Sequence, residues 1–365
     1  MWLMKNLIHK IAEKFDFEII ESDYEKKGIN SYKIDEKGNV INLFLNQIAI
    51  NEISVLLPFS KSLKVLTLFE CGIENIEDIV FFKELKELDL TLNSISKLTG
   101  LESLTSLKKL VLPCVYMDSI SELKYLKEIE ILNLSSNIEI NFDNEFEGLD
   151  NLKELNLSGN DLVNLNNICP ISSLKKLNLK ECEITHMDGI EKFPNLEVLN
   201  LSGNPIEEIT GLVHFINLKE LYLNSTNISE ISGLDSLVNL ESLDLSDTKI
   251  YKIQGLTKLI SLKELNLSYT EIEKIEGLIE LNKLEVLMLI NTEISVIENL
   301  PISSLKILHL EGNRIKNVNY DLLKSINQHC FINLSNNPIE VIIKNNIPKH
   351  ITIKTKDSDG VPMTL

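Results

Sequence analysis

Residues 262–283 read LKELNLSYTEIEKIEGLIELNK, and the 22 residues before them, 240–261, read LESLDLSDTKIYKIQGLTKLIS. The two stretches share the spacing of their apolar residues and differ in the residues between. Self-similarity at a fixed period of this length is the signature of stacked structural units, each of which contacts its neighbours. The repeated phrase therefore decides the fold.

The phrase recurs along almost the whole chain as L-x-x-L-x-L-x-x-N-x-I-x-x-I-x-x-L-x-x-L. Most successive starts are 22 residues apart. The L-x-L part has period two, so both leucines lie on the same side of a β-strand. Beyond the asparagine position the apolar spacing becomes three, which suits turns or short 3-10 segments. Fourteen units begin at Val40, Leu63, Leu85, Leu107, Ile129, Leu152, Leu174, Leu196, Leu218, Leu240, Leu262, Leu284, Leu305 and His329.

This phrase resembles the leucine-rich repeat, and the resemblance covers residues 40 to about 353. The 22-residue period and the phrases IEEITGL, ISEISGL and IEKIEGL are similar to the class found in bacterial internalins and in the regulatory subunit of protein phosphatase-1. We expect an α/β fold, a curved solenoid of about 14 repeats with a parallel sheet on its concave face and short 3-10 or irregular convex segments. The resemblance implies that the concave face binds another protein.

The chain is expected to divide into three parts. Residues 1–39 form an N-terminal cap with an amphipathic helix and short strands, residues 40–350 form the repeat array, and residues 351–365 form a C-terminal strand and tail. The helix is indicated by Leu3, Leu7, Ile8, Ile11 and Phe15 on one face, which could alternatively bind a partner or a membrane. ITIKT (351–355) alternates like a last strand, and the tail DSDGVPMTL is expected to be disordered.

Two rows of residues are interpreted as structural. At the ninth position of a unit a side-chain amide can bond backbone groups that the turn leaves unpaired. That position carries Asn93, Asn137, Asn160, Asn204, Asn313 and Asn337, and in four successive units Thr226, Thr248, Thr270 and Thr292. At the second position charges alternate, which sets opposite charges side by side on neighbouring strands. That row reads Lys175, Glu197, Lys219, Glu241, Lys263, Glu285 and Lys306.

Composition limits the kinds of partner and the cellular location that we expect for this chain. The formal net charge is -18, which should repel nucleic acid and anionic membranes, so we expect a protein partner with a basic surface and a monomer when free. The five cysteines lack disulfide or zinc spacing and are expected to be buried, reduced thiols. The N-terminus does not read as a signal peptide. We therefore expect a cytoplasmic protein, or alternatively one secreted without a cleaved signal.

No recognisable catalytic chemistry occurs in the sequence. It has no phosphate-binding glycine loop, no HExxH and no GxSxG, and its six histidines are scattered. We therefore predict no catalytic, cofactor or metal site, and a protein that is not an enzyme. Three units depart from the regular phrase, at residues 110–119, at FDNEFEG (142–148) and at VNYDLLKSINQHC (318–330), the last of which could hold a short helix.

The variable strand positions give the candidate binding residues. Residues at the third, fifth, seventh and eighth positions should face the concavity, where carboxylates predominate. Exposed aromatic residues beside acids are typical of hot spots for a basic partner, although stray apolar residues are also tolerated there. The C-terminal patch comprises Tyr222, Asp244, Asp247, Tyr269, Met288, Ile290, His309 and Glu311. The N-terminal patch comprises Phe44, Val65, Phe69, Leu92 and Val111.

The function predicted from these observations is a non-enzymatic protein-interaction scaffold that binds its partner through the acidic and aromatic concave face. Within that class, a host-directed effector and a subunit resembling the phosphatase regulator are alternatives. An enzyme subunit with a site in the cap or in the irregular loops is the hypothesis from another class.

Overall fold

The computed structural model describes residues 2–22, 28–115, 117, 119–138, 140–340, 347–356 and 362–364. The chain forms two compact units. The N-terminal unit comprises Met1–Asp161 and Asn166–Asn178, and the C-terminal unit comprises Leu162–Leu165 and Leu179–Leu365. Each unit is a stack of repeated turns.

The N-terminal unit begins with a helix and continues with short strands separated by 3-10 segments. Its helix is α1 (Trp2–Lys14), and its 3-10 segments are Ile53–Phe59, Glu77–Phe81, Leu101–Ser103 and Ser121–Tyr125. Its strands are β1 (Ile20–Glu21), β2 (Ser31–Ile34), β3 (Val40–Asn46), β4 (Val65–Phe69), β5 (Glu87–Asp89), β6 (Lys109–Val111), β7 (Ile131–Asn133), β8 (Glu154–Asn156) and β9 (Lys176–Asn178).

In its described residues, the C-terminal unit repeats the same plan with one 3-10 segment, Ile190–Lys192, and one helix, α2 (Tyr320–Ser325). The helix confirms the prediction for the enlarged loop at 318–330. The strands are β10 (Val198–Asn200), β11 (Glu220–Tyr222), β12 (Ser242–Asp244), β13 (Glu264–Asn266), β14 (Val286–Met288), β15 (Ile307–His309), β16 (Cys330–Asn333), β17 (Ile351–Lys356) and β18 (Pro362–Thr364).

Strand pairing follows chain order within each unit. Strands β3 to β9 are parallel neighbours, and so are β10 to β17. The register joins equivalent residues of successive repeats, such as Leu221 to Leu243 and Leu243 to Leu265. The predicted leucine-rich repeat solenoid is confirmed, and its fourteen units correspond to β3 to β16 in the described residues.

The two leucines of each L-x-L build the core. Leu243 and Leu245 are at most 1% exposed, whereas their neighbours Ser242 and Asp244 are partly exposed on the opposite side of the strand. Because the side-chain period of a strand is two, this burial fixes which residues can face solvent across the whole array. We call the solvent-facing side the sheet face.

The ninth-position asparagines connect neighbouring turns as predicted. In Asn204, Oδ1 accepts hydrogen bonds from the backbone amides of Cys182 (3.0 Å) and Ile184 (2.9 Å) in the preceding turn. Its Nδ2 donates to the carbonyls of Leu179 (2.7 Å) and Leu201 (2.8 Å). One buried side chain thus satisfies four backbone groups that water cannot reach.

Threonine at the same position does part of this work. The Thr248 hydroxyl donates to the carbonyl of Leu245 in its own turn, at 2.8 Å. Thr226 and Thr270 make the same bond to Leu223 and Leu267. The predicted role for threonine is confirmed. Its hydroxyl makes one hydrogen bond to the backbone, whereas the Asn204 side chain makes the four described above.

We predict that Asn204→Ala destabilises the protein far more than Thr248→Val does. The first variant leaves four buried backbone groups unpaired, and the second leaves one, at about 1–3 kcal/mol for each group. We therefore expect a loss of at least about 3 kcal/mol against about 1 kcal/mol in urea unfolding. The amides of Cys182 and Ile184 should also exchange faster in Asn204→Ala. Equal losses for the two variants would contradict this account of the ladder.

The alternating charges of the second position form ion pairs in both units, which confirms their structural interpretation. In the C-terminal unit, Glu241 lies 2.6 Å from Lys263. In the N-terminal unit, Glu130 lies between Lys108 (2.5 Å) and Lys153 (2.6 Å). The hydrogen bonds from these two lysines lower the pKa of Glu130 to about 2.

We predict a pH dependence from Glu130. Because its pKa in the folded chain lies below the ordinary value of 4.5, its contribution to stability is complete above about pH 4.5 and is lost as the pH falls toward 2. A carbon-13 titration of its carboxyl group should show the low pKa, and Lys108→Ala combined with Lys153→Ala should return the pKa toward 4.5. A midpoint near 4.5 in the unaltered protein would contradict the pairing.

The first 39 residues pack onto the array as a helix and strands. The face of α1 containing Ile8 and Ile11 is buried, and the Tyr32 hydroxyl lies 3.4 Å from Nε2 of His9. SYKI forms β2, which pairs antiparallel with β3. FEII is only partly a strand, because β1 begins at Ile20. No described helix has the length and apolarity needed to cross a membrane.

The other end of the chain differs in part from expectation. ITIKT lies within β17, which pairs parallel with β16, as predicted. The tail was expected to be disordered, but β18 pairs antiparallel with β17. Hydrogen bonds to the otherwise open edge of β17 explain this strand. The rest of the tail lies outside the described residues.

Candidate protein-binding surface

The sheet face carries two kinds of variable position. The third and fifth residues of a unit stand on the strand. The eighth residue follows the strand in a left-handed backbone conformation, with φ of 57° at Leu92, 54° at Asp247 and 58° at Tyr269. These positions and the seventh, which carries Phe69, Ile290 and Glu311, hold the residues that were predicted to bind a partner, and each patch lies within one unit of the chain.

Asp244 carries a charge and also stabilises the turn that follows its strand. Its Oδ1 accepts hydrogen bonds from the backbone amide (2.9 Å) and the hydroxyl (2.6 Å) of Ser246. Asn266 accepts the same amide bond from Ser268 in the next turn, at 3.1 Å. Since an amide oxygen can replace the carboxylate in this turn, the charge of Asp244 is not needed for the fold.

Tyr222 lies beside Asp244 in the sheet, and several carboxylates surround its hydroxyl. Its hydroxyl donates to Oε2 of Glu220 at 2.7 Å. Partial burial, that hydrogen bond and the charges of Glu220, Glu264 and Asp244 raise the pKa of Tyr222 to about 12. The three carboxylates therefore make the surroundings of the Tyr222 hydroxyl negative.

Tyr269 is a large side chain at a strained and exposed position. Its exposed fraction is 57%, and a left-handed φ costs a residue other than glycine about 1–2 kcal/mol. Glycine fills the same position at Gly203 and Gly312, where φ is also positive. Asp247, which precedes Tyr269 in this row, accepts a hydrogen bond from the Ser225 hydroxyl at 2.9 Å. Other residue types adopt the same conformation at this position, so the fold does not require a tyrosine here.

The far end of the C-terminal patch is a polar cluster beside apolar residues. Oε1 of Glu311 accepts hydrogen bonds from Nδ1 of His309, at 2.9 Å, and from Nδ2 of Asn333. His309 packs edge-on against Phe331, with ring centroids 6.1 Å apart. Oε2 of Glu311 is buried, and no described residue donates a hydrogen bond to it.

Met288 and Ile290 continue the patch between Tyr269 and His309. Met288 pairs with Asn266 on one side and with His309 on the other. Both Met288 and Ile290 are partly exposed. The predicted residues of the C-terminal patch therefore lie on consecutive strands, from β11 to β15, or in the turns that directly follow them.

The N-terminal patch is smaller than predicted. Phe69 is partly exposed at the end of β4, and Leu92 is 43% exposed. Phe44, in contrast, is only 7% exposed, so its assignment to this patch is wrong. Phe44 lies on β3, which pairs with β2 on one side and with β4 on the other.

Carboxylates are paired differently in the two units. On the sheet face of the N-terminal unit, Glu154 lies 2.9 Å from Lys176, and Glu87 lies 3.8 Å from Lys109. In the C-terminal unit, no described lysine or arginine forms an ion pair with the carboxylates around Tyr222 and Tyr269. Those carboxylates are Glu220, Asp244, Asp247 and Glu264.

The thiols and possible metal ligands add no reactive site to this surface. None of the five cysteines forms a disulfide. Cys71, Cys182 and Cys330 are buried as expected, but Cys114 and Cys169 are partly exposed. Burial raises the pKa of Cys71 and Cys330 to about 11. No group of three or more His, Cys, Asp or Glu among the described residues could hold a metal ion.

Some members of the surface were not predicted as binding residues. The phrase D/N-x-S at the fifth to seventh positions closes a turn, as in Asp244–Ser246, and this signal was present in the sequence. Asn333 and Phe331, which hold His309 and Glu311 in place, come from the last unit, which begins at His329. Glycine at the eighth position of some units, as at Gly203 and Gly312, is a sequence signal for its left-handed backbone.

We predict that the effects of glycine and alanine at Tyr269 and Tyr222 are opposite. At the left-handed position Tyr269→Gly should be more stable than Tyr269→Ala by about 1 kcal/mol. On the strand, Tyr222→Gly should be less stable than Tyr222→Ala by about 0.5–1 kcal/mol. Urea unfolding of the four variants measures both differences. The same order of stability at both positions would contradict the strain at Tyr269.

Comparison with known proteins identifies the repeat class. A family profile described as Leucine Rich repeats (2 copies) matches residues 172–214, 216–258 and 238–280. No curated protein matches the sequence significantly. The repeats in these residues therefore match leucine-rich repeats, and the fold resembles that of internalins.

Three solved structures show how widely this fold is shared. An internalin (InlF) from Listeria monocytogenes is 22% identical with a TM-score of 0.63, and the match covers 86% of this chain and 85% of that one. The mouse RP105/MD-1 complex is 23% identical with a TM-score of 0.68, and the match covers 87% of this chain and 57% of that one. A TLR13–ssRNA13 complex is 19% identical with a TM-score of 0.58, and the match covers 89% of this chain and 57% of that one. At these identities the likeness shows the fold alone.

Proposed function

We propose that this chain is a non-enzymatic protein-interaction scaffold and that the C-terminal patch binds a basic surface of its partner. Tyr269 carries the proposal: it is a large, exposed side chain on a strained backbone, beside carboxylates that have no basic partner in the described residues. Aromatic anchors flanked by complementary charge are typical of binding hot spots.

The charge of the patch supports a basic ligand. Glu220, Asp244 and Glu264 all act on Tyr222, so a cationic side chain placed there would neutralise several charges at once. The buried Oε2 of Glu311 lacks a donor among the described residues. An unsatisfied buried acceptor costs free energy, and an N–H group from a partner would recover it.

A protein is favoured over nucleic acid because of charge. With a net charge of -18, a phosphate backbone would be repelled along the whole molecule. The RP105/MD-1 neighbour is a complex with a protein and the TLR13 neighbour a complex with single-stranded RNA, so the fold itself permits both. The carboxylates of the C-terminal patch favour the protein.

The lack of disulfides favours a reducing compartment. None of the five cysteines forms a disulfide, and we propose a cytoplasmic location. A host-directed effector delivered without a cleaved signal would meet the same conditions. No described group of residues favours a subunit resembling the phosphatase regulator or an enzyme subunit.

The proposal is tested by affinity capture with matched variants of the full chain. Asp244→Asn removes a charge and preserves the turn, as Asn266 shows, and Tyr269→Gly removes the anchor without strain. The double variant should lose at least roughly tenfold in affinity for a captured basic protein. Adding salt should weaken binding of the unaltered chain.

The N-terminal patch supplies the control. Phe69→Ser combined with Leu92→Gly makes equivalent changes on the other unit, and this variant should retain the partner. A partner lost with the N-terminal variant and kept by the Asp244→Asn/Tyr269→Gly variant would move the site to the N-terminal patch. A partner kept by both would show that neither patch is the binding surface.

A further inference from the structure

A second exposed surface lies in the C-terminal unit, away from the sheet face. Five apolar side chains with exposed fractions between 39% and 64% fall in the return segments of four consecutive turns. They are Val213, Ile216, Val238, Ile260 and Ile279. We call this set the apolar ridge.

The ridge is distinguished by comparing the same position in all turns. Ile216, Val238 and Ile260 each lie two residues before the start of the next unit, so they recur every 22 residues. The other turns place a polar residue or proline there. Those residues are Lys61, Lys83, Thr105, Lys127, Asp150, Ser172, Pro194, Asn282, Ser303 and Asn327.

Exposed apolar residues in three successive turns are not needed to build a turn. The backbone amides of Ile216, Val238 and Ile260 bond to the carbonyls two residues earlier, and Asn282 makes the same bond. An exposed asparagine therefore satisfies the local geometry as well as isoleucine does. A contiguous apolar patch that the fold does not require indicates an interaction surface.

The charges around the apolar ridge indicate which kind of molecule can pack against it. Its exposed neighbours Asp235, Lys258, Glu280 and Lys283 are two acids and two bases. Along one side run second-position residues that are already paired, with Lys219 2.7 Å from Glu197. The ridge is thus electrically balanced on a molecule of net charge -18, so a second polyanion of the same kind can approach it.

The charged row beside the ridge is complementary to itself when reversed. It reads Lys219, Glu241, Lys263, Glu285, so an antiparallel copy sets Lys219 opposite Glu285 and Glu241 opposite Lys263. The same alignment sets Val238 against Ile260. A two-fold dimer requires a surface of this kind, in which each residue meets its counterpart reciprocally.

We propose that the apolar ridge is the interface of a homodimer in which two copies of this chain pack antiparallel about a two-fold axis. The proposed homodimer differs from the monomer that we expected from the sequence. A stable interface buries roughly 800 Å² on each partner, so the charged row and the other rim contribute beside the ridge. The sheet face stays outside this contact and free for a partner.

Sedimentation of the full chain from about 1 to about 200 µM tests the proposal, with Ile216→Asn/Val238→Ser/Ile260→Asn as the variant. These residues are exposed, and the substituted types occur at the same position in other turns. The unaltered chain should dimerise with rising concentration, and the variant should dimerise at least roughly tenfold more weakly. The control Val163→Ser/Tyr251→Ser, at exposed positions off the ridge, should dimerise like the unaltered chain.

A charge exchange tests the antiparallel alignment. Lys219 and Glu285 lie three turns apart within one copy, roughly 14 Å at about 4.8 Å per strand, and do not pair there. Lys219→Glu and Glu285→Lys should each weaken the dimer, and the double exchange should restore it.

Three results would overturn the homodimer. The first is a monomer at every concentration, and the second is a triple variant that dimerises normally. The third is a double exchange without rescue. A monomer that retains a different protein through the ridge would assign the ridge to that protein instead.

Discussion

The structure depends on satisfying the buried backbone groups at the turn that follows each strand. Water does not reach these groups, and leucine burial alone cannot satisfy them. Asn93 shows how the chain meets this requirement, because it bonds the amides of Cys71 and Ile73 in the preceding turn and carbonyls of both turns. Where the ninth residue is asparagine, each turn is thereby completed by the next, in step with the 22-residue period and the parallel register.

Because this requirement fixes the leucines and the ninth position, only the remaining positions are free to vary. The charged second position is also constrained, since its alternation pairs neighbouring strands. What remains is the sheet face and the surface of the return segments. The two features that the fold does not explain, Tyr269 with its carboxylates and the apolar ridge, lie on these two surfaces. A scaffold of this kind separates stability from binding at the level of single positions.

The sequence predicted the period, the strand positions and the ninth-position network because each follows from residue spacing. It also placed Tyr222, Asp244 and Met288 on the correct face. It failed for Phe44, because nothing in the repeat phrase distinguishes β3, which pairs with β2, from the other strands of the array. The left-handed backbone at Tyr269 could have been inferred from glycine at the equivalent positions Gly203 and Gly312. The ridge was hidden, because apolar residues in a return segment read as core until their exposure is known.

The most direct measurement of the central claim is hydrogen exchange of the full chain with and without its partner. If the sheet face of the C-terminal unit binds, protection should appear in residues 220–226, 242–248, 264–270 and 286–292, and residues 65–71 and 87–93 should be unchanged. Protection confined to the N-terminal strands, or to the return segments, would contradict the claim that binding uses the residues around Tyr269.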